Sequence, residues 1–221
     1  MRAVILAAGA GKRIRSVTDG PKCMLPIGKE TLINRQIKLL SNNSCNPTIV
    51  VGYKHEAIIR HVGHKDFVYN PVWAQSNTLI SLLFALSASY ADCLVINGDT
   101  VFSEDLLQNI LSADYSACAV QPVDPTEEEV KVACDPNKRV TAIGKQLTNT
   151  ALEAVGVYLF RRPLITAIKK RAYLLSEPWK LYYEDALNEC LAEHPMQAIK
   201  TADAVEIDTP DDYERAKKIY A

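Results

Sequence analysis

Residues 4–26 read Val-Ile-Leu-Ala-Ala-Gly-Ala-Gly-Lys-Arg-Ile-Arg-Ser-Val-Thr-Asp-Gly-Pro-Lys-Cys-Met-Leu-Pro. The short apolar run Ala3–Ala7 has the character of a buried strand. It ends in a turn of small residues around Gly9 and Gly11, and Lys12, Arg13, Arg15 and Lys22 follow within eleven positions. Glycine lets backbone N–H groups approach an anion closely, and clustered cations neutralise several phosphate charges together. The stretch therefore reads as a strand running into a loop with the chemistry of a triphosphate site.

Two other glycine-rich phosphate loops do not fit. A P-loop requires Gly, four residues, then Gly-Lys-Ser/Thr. Here Gly11-Lys12 is followed by Arg13, and the position five before Gly11 is Leu6. A dinucleotide fingerprint has Gly-x-Gly-x-x-Gly/Ala and an acid about 20 residues later at a strand end. Gly9 and Gly11 match, but the third position is Ile14, and Glu30 precedes a helix-like run. A merely basic strand-to-helix turn is the plain alternative, and the cations beside a further Pro-Lys weigh against it.

Outward from this loop, β-rich runs alternate with helix-period segments. Helices are expected over 31–40, with Leu32, Ile33, Gln36, Ile37 and Leu40 facing the core, and over 56–62, 78–89 and 104–111. Ser103 is placed to cap the last of these, with acids in its first turn. Strands are expected over 48–51, 67–69 and 93–96. This βαβαβα order argues for an α/β fold, a Rossmann-like, mostly parallel sheet with helices on both faces. The second half is less regular: strands over 117–122, 130–133, 140–143, 155–160, 197–201 and 204–206, and helices over 163–172, 182–193 and 210–218, the last behind Thr209 as N-cap. Asp135-Pro-Asn-Lys138 reads as a hairpin turn. No repeat or linker interrupts the chain, so one α/β domain over residues 1–221 is expected.

Composition sets limits. With 48% hydrophobic residues in 221, a substantial core is affordable and disorder is excluded. A formal net charge of −1 provides no overall basic field for nucleic acid, so the basic loop suits a small polyanion. The six cysteines, at 23, 45, 93, 118, 134 and 190, form no Cys-x-x-Cys pair and read as buried reduced thiols. His55, His61, His64 and His194 lack metal-ligand spacing and suit surface roles. The N-terminus lacks a secretory pattern and no apolar run approaches membrane-spanning length, so a cytoplasmic location without membrane contact is expected. A homo-oligomer is left open.

A reaction at a triphosphate needs divalent metal, because negative oxygens on the attacked phosphorus repel an anionic nucleophile. Hard Mg²⁺ takes one or two carboxylates plus phosphate oxygens and water. Asp99, after the apolar strand and beside Gly98, and Asp208, between a strand and a helix, stand where open sheets bind ligands. A turn residue for Asp99 and a helix N-terminus for Asp208 are the alternatives.

Leu6-Ala-Ala-Gly-x-Gly-x-Arg13, then Thr18, Pro21-Lys22 and Leu25-Pro26, resemble the opening of the nucleotidyltransferases that join a nucleoside monophosphate to a phosphorylated small molecule. Val95-Ile-Asn-Gly-Asp99 is similar to that family's strand whose terminal Gly-Asp binds metal, and Glu206-Ile-Asp208-Thr-Pro resembles its second metal carboxylate. Matching motifs run from residue 3 to about 218. The resemblance implies that Leu6, Ala7, Ala8, Gly9, Ala10, Gly11 and Lys12 wrap a nucleoside triphosphate. It also implies that Arg13 and Lys22 hold its phosphates, and that Asp99 and Asp208 hold Mg²⁺. Lys145, in Ala142-Ile-Gly-Lys145, resembles the basic residue that reaches the acceptor's phosphate.

The sugar-phosphate members carry Pro-x-Gly in their middle motif, and this chain departs from them there. Its Tyr69-Asn70-Pro71-x-Trp73-x-x-Ser76-Asn77-x-x-x-Ser81 is similar to the smaller cytidylyltransferases acting on phosphocholine or on alkylphosphonates such as aminoethylphosphonate. That resemblance favours CTP, with Gly52, Asn70, Ser76, Asn77 and Ser81 as candidates for base and ribose. Ser76 as a helix cap and Ser81 inside the helix are the structural alternatives. Trp179, Tyr183, Glu184 and Asp185, in Pro178-Trp-Lys-Leu-Tyr-Tyr-Glu-Asp185, offer aromatic faces and carboxylates suited to an amine-bearing acceptor. Glu184 and Asp185 are equal candidates, and plain packing is the alternative for the aromatic patch. The expectation is direct transfer of CMP from CTP to a small phosphate or phosphonate, releasing pyrophosphate. The alternatives are a sugar- or polyol-phosphate transferase using UTP, dTTP or CTP, and a silent nucleotide sensor.

Overall fold

A computed structural model of the protein describes residues 1–63, 66–87, 91–122, 129–148 and 150–220. Thirteen strands and seven helices occur among them. The strands are β1 (Arg2–Ala7), β2 (Pro26–Ile27), β3 (Glu30–Thr31), β4 (Asn46–Val51), β5 (Phe67–Tyr69), β6 (Cys93–Asn97), β7 (Thr100–Val101), β8 (Ser116–Pro122), β9 (Lys131–Cys134), β10 (Val140–Gly144), β11 (Leu152–Phe160), β12 (Met196–Lys200) and β13 (Val205–Glu206). The helices are α1 (Leu32–Asn42), α2 (His55–Val62), α3 (Thr78–Leu86), α4 (Glu104–Leu111), α5 (Arg162–Ala172), α6 (Tyr183–Asn188) and α7 (Pro210–Tyr220).

Nine strands form one mixed sheet. Its path runs β10-β9-β11-β6-β1-β4-β5, with β8 also on β11 and β12 on β8. β1 lies at the centre, parallel to β4 (Ile5↔Ile49) and to β6 (Ile5↔Ile96). Because side chains alternate along a strand, Val4 and Leu6 join the core under α3, α5 and α6, while Ala3, Ile5 and Ala7 join the core on the opposite face with α1, α2 and α4. A strand covered on both sides has no solvent face to mark with polar residues, which is why this run is apolar throughout. The parallel half thus follows the expected βαβ order, and the antiparallel pairings gather on β11.

Local signals placed several elements. The Ser103 side chain accepts from Leu106 N at 3.2 Å and starts α4. Asp135 closes its turn through Lys138 N→Asp135 O at 3.0 Å. Thr209 and Asp212 bond reciprocally at the start of α7. Two helix ends are corrected. The helix expected over 182–193 ends at Asn188 and continues as turns. The helix expected over 78–89 ends at Leu86; its residues 88 and 89, and His64, lie outside the described residues. Ile37 is partly buried and packs against the core, on the side expected. The cysteines are free thiols, five of them buried. No helix among the described residues is long and apolar enough to cross a membrane.

Two pairings that the sequence did not indicate shape the site. β7 and β13, two residues each, pair antiparallel with Glu206 opposite Thr100, and Ile207 N donates to Asp99 O at 3.0 Å. β11 shifts register between Ala154 and Tyr158, with Gly156 at φ +67° inside the irregularity. A Cβ there would lie 2.6 Å from Thr100 Oγ1 and 2.7 Å from Asn97 Nδ2, so only glycine admits those side chains.

Candidate active site

At the C-terminal ends of β1 and β6 lies a cleft of about 550 Å³, the position where open parallel sheets bind ligands. Leu6, Ala7, Gly9, Ala10, Gly11, Lys12 and Arg13 from the first loop line it, with Lys22 behind them. Gly11 adopts φ +55°, and a Cβ on it would meet Lys22 Cγ at 2.7 Å, so the bare glycine seats the lysine stem. Ala8 is the exception in the loop: it is buried, and its carbonyl accepts from Tyr53 N at 3.0 Å. Arg15 lies outside the lining.

The two candidate metal carboxylates converge. Lys22 Nζ sits 2.6 Å from Asp99 Oδ2 and 2.6 Å from Asp208 Oδ1, and Arg13 reaches Asp208 Oδ2 at 2.9 Å. The β7–β13 pairing causes this, because it sets the residues that follow β6 beside those that follow β13. Burial works against the Lys22 ammonium, but the facing Asp99 and Asp208 carboxylates outweigh it and hold its pKa above the ordinary lysine value. Burial would likewise push Asp208 up, yet Lys22, Arg13 and Lys145 hold it below the usual carboxylate range. Two hard oxygen donors already gripping one cation are a donor set that fits Mg²⁺, which needs few protein ligands beside phosphate oxygens and water.

The rest of the lining is polar and aromatic. Lys145 lies in the lining with its Nζ 4.3 Å from the centroid of the Tyr182 ring. Tyr183 is fully buried, and its hydroxyl donates to Asn97 Oδ1 at 3.0 Å. Asn97 Nδ2 donates in turn to Glu206 Oε1 at 3.1 Å. Burial, reinforced by Asp99 and Asp208, pushes the Glu206 carboxyl well up. Glu184 is 3% exposed and accepts from the Tyr158 hydroxyl at 3.0 Å; burial raises its pKa to about 7 against the lowering by Tyr158 and Tyr183.

Several sequence candidates sit elsewhere. Asn70 is fully buried and donates to Ser76 Oγ (3.1 Å) and Ser81 Oγ (3.0 Å), so Asn70 and Ser81 brace the loop before α3 instead of lining the cleft. Ser76 and Asn77 do line it, and the helix cap is Asn77, whose Oδ1 accepts from Thr78 N at 2.9 Å. Gly52 is also outside; a Cβ there would meet Trp73 Cβ at 2.6 Å, so its bareness lets Trp73 swing in as a lining residue. Asp185 spends its carboxylate on Tyr182 N (2.8 Å), and Trp179 is 48% exposed outside the cleft, its carbonyl accepting from Asn77 N at 2.7 Å. Of the pair that the sequence left equal, Glu184 therefore faces the cleft. Trp73, Asn97, Tyr182 and Glu206 were not singled out for the site by sequence reasoning, although all four stand inside quoted motifs.

Residues 3–199 match the model of the MobA-like NTP transferase domain. The bifunctional protein GlmU of Methanococcus aeolicus is 28% identical over 205 residues, 90% of this chain, and the chain spans 49% of that protein's length. The choline-phosphate cytidylyltransferase of Streptococcus pneumoniae is 27% identical over 228 residues, 99% of this chain and 98% of that protein. The structure of the inositol-1-phosphate CTP transferase from T. maritima superposes with a TM-score of 0.80 at 24% identity, covering 99% of this chain and 95% of that one, and so shares the fold. A glycine-rich loop, a basic pair and two carboxylates in one cleft, within a match spanning most of the sequence, mean that the chain belongs to the MobA-like NTP transferase family of nucleotidyltransferases.

Proposed function

We propose that the chain transfers CMP from CTP to a small acceptor bearing a phosphate or phosphonate, of the phosphocholine or aminoethylphosphonate type, with release of pyrophosphate. The observation that carries this reading is the meeting of Asp99, Asp208, Lys22 and Arg13 beside the glycine loop, in a cleft that Lys145 also lines. Support for cytidine comes from the 27% identity to a choline-phosphate cytidylyltransferase along nearly its whole length.

The loop backbone from Gly9 to Lys12 cradles the triphosphate, and Arg13 and Lys22 neutralise it. Asp99 and Asp208 are the residues that would hold Mg²⁺, which when bound neutralises charge on the attacked phosphate. An acceptor oxygen held near Lys145 forms a bond to the α-phosphorus while the bond to the β-phosphate oxygen breaks. That oxygen is already ionised at neutral pH, so no protein base is required. Catalysis is then positioning and charge neutralisation. Tyr182, Tyr183 and the Glu184 carboxylate form a wall suited to a cationic end of the acceptor.

A second reading is a sugar- or polyol-phosphate nucleotidyltransferase using UTP, dTTP or CTP; its sugar-phosphate acceptor is favoured by the similarity to the D-glycero-alpha-D-manno-heptose 1-phosphate guanylyltransferase of Aneurinibacillus thermoaerophilus, 25% identical over 230 residues and 99% of this chain. One experiment separates them: incubation with CTP, UTP or dTTP, Mg²⁺ and a mixture of phosphocholine, phosphoethanolamine, aminoethylphosphonate and sugar phosphates, followed by mass spectrometry. A cytidine product of an amine-bearing acceptor is expected. A nucleotide-sugar product supports the second reading, and tight CTP binding with no product from any acceptor means a nucleotide sensor.

A further inference from the structure

The ammonium of Lys22 does more than stand near the triphosphate loop. It lies between the two carboxylates, 2.6 Å from an oxygen of each, with its side chain only 14% exposed. Its stem is not free to wander, because it runs across bare Gly11, where even a Cβ would come within 2.7 Å. Arg13 adds a second positive group on the far oxygen of Asp208 at 2.9 Å. The negative end of the cleft is therefore balanced from within by the same two cations that would hold phosphates. An ammonium and a divalent ion compete for the same oxygen lone pairs, and an ion beside a resident ammonium meets like-charge repulsion at a few ångströms.

We propose that Lys22 is the resident counter-ion of the Asp99–Asp208 pair, and that divalent metal is admitted only together with the nucleotide, whose phosphates draw the ammonium off the carboxylates. This rests on reading the cleft as the nucleotidyl-transfer site. The species the site takes is then the metal–nucleotide chelate and not the free ion. One lysine serves two partners in turn. It prevents Asp99 and Asp208 from repelling each other, and it passes to the phosphates as the metal arrives on the freed oxygens. Arg13 makes the corresponding exchange on Asp208.

The test measures Mn²⁺ binding by electron paramagnetic resonance on the full chain, with and without a non-hydrolysable CTP analogue. Wild type is expected to show no saturable Mn²⁺ site at micromolar to low-millimolar concentration alone, and one site with the analogue. Lys22→Met, which keeps the length and removes the charge, should bind Mn²⁺ without nucleotide at least about tenfold more tightly than wild type. Lys22→Arg should exclude it as wild type does, and adding Asp99→Asn to Lys22→Met should abolish the gain. Equal Mn²⁺ affinity of wild type and Lys22→Met, or a saturable site in wild type without nucleotide, overturns the proposal. If Lys22→Met does not fold, thermal melting of wild type decides: Mg²⁺ alone should leave the melting temperature unchanged, and Mg²⁺ with the analogue should raise it beyond the analogue alone. A rise with Mg²⁺ alone overturns the proposal. Product formation by wild type, measured in parallel, reports separately on nucleotidyl transfer, so a failed counter-ion exchange is not confused with a failed function.

Discussion

Glu184→Gln provides a quantitative test of the acceptor wall. The wild-type carboxyl is 3% exposed, accepts from Tyr158, and is disfavoured in its charged form by burial and by the Asp185 charge. Burial raises its pKa to about 7, against an ordinary value of 4.5. The folded state therefore binds this proton more tightly than the unfolded chain does. The resulting stability is present below pH 4.5 and is lost as pH rises through 7. At about 1.4 kcal/mol per unit, wild type loses on the order of 2.5 kcal/mol from this group between about pH 5 and pH 8. Glutamine stays neutral throughout. Its amide group replaces an oxygen pair that packs around the Tyr158 hydroxyl and brings two N–H donors to a buried place, which costs about 1 kcal/mol. Urea unfolding at several pH values should thus find Glu184→Gln slightly less stable than wild type near pH 5 and more stable near pH 8. A stability difference that does not change with pH refutes the reasoning. Under the proposed function the same titration appears in binding: KM for a cationic acceptor should fall as pH rises through about 7 in wild type, and Glu184→Gln should abolish that change.

Three further outcomes are expected. Lys22→Ala should lower turnover about 10²–10³-fold, the scale of removing a charge-stabilising donor; near-normal pyrophosphate release from a folded variant contradicts its role. Gly156→Ala should destabilise by about 2–4 kcal/mol, from a left-handed backbone plus a Cβ pressed on Thr100 and Asn97; a change under about 0.5 kcal/mol in urea unfolding would mean that the β11 irregularity relaxes freely. Lys145→Ala should raise KM for the acceptor about tenfold while leaving the affinity for CTP, read by calorimetry, nearly unchanged; an equal loss for both ligands would move Lys145 to the nucleotide.

The site was legible to the extent that its chemistry is local. The loop from Leu6 to Arg13, Lys22, Asp99 and Asp208 could be picked out because glycine, cations and acids at strand ends carry meaning within a few residues. The middle motif was read less well. Asn70 and Ser81 offer the same donors as Ser76 and Asn77, and only packing turned the first pair into one another and the second toward the cleft. Trp179 and Trp73 are equally aromatic in sequence, yet bare Gly52 admits Trp73 while Trp179 is left in solvent.

The sequence by itself determined the alternating strands and helices, the glycine-rich cradle, and caps such as Ser103 and Thr209, because each depends on side chains and backbone a few positions apart. The tertiary structure alone decided that Asp99 and Asp208 share one ammonium, that Asn97 ties Tyr183 to Glu206, and that Glu184 and not Asp185 faces the cleft. These contacts depend on two-residue strands about 100 positions apart and on a glycine-centred irregularity in β11. A strand over 204–206 is legible, but its partner at Thr100–Val101 is too short for a periodicity of its own, and the pairing depends on the large sheet bringing the two side by side.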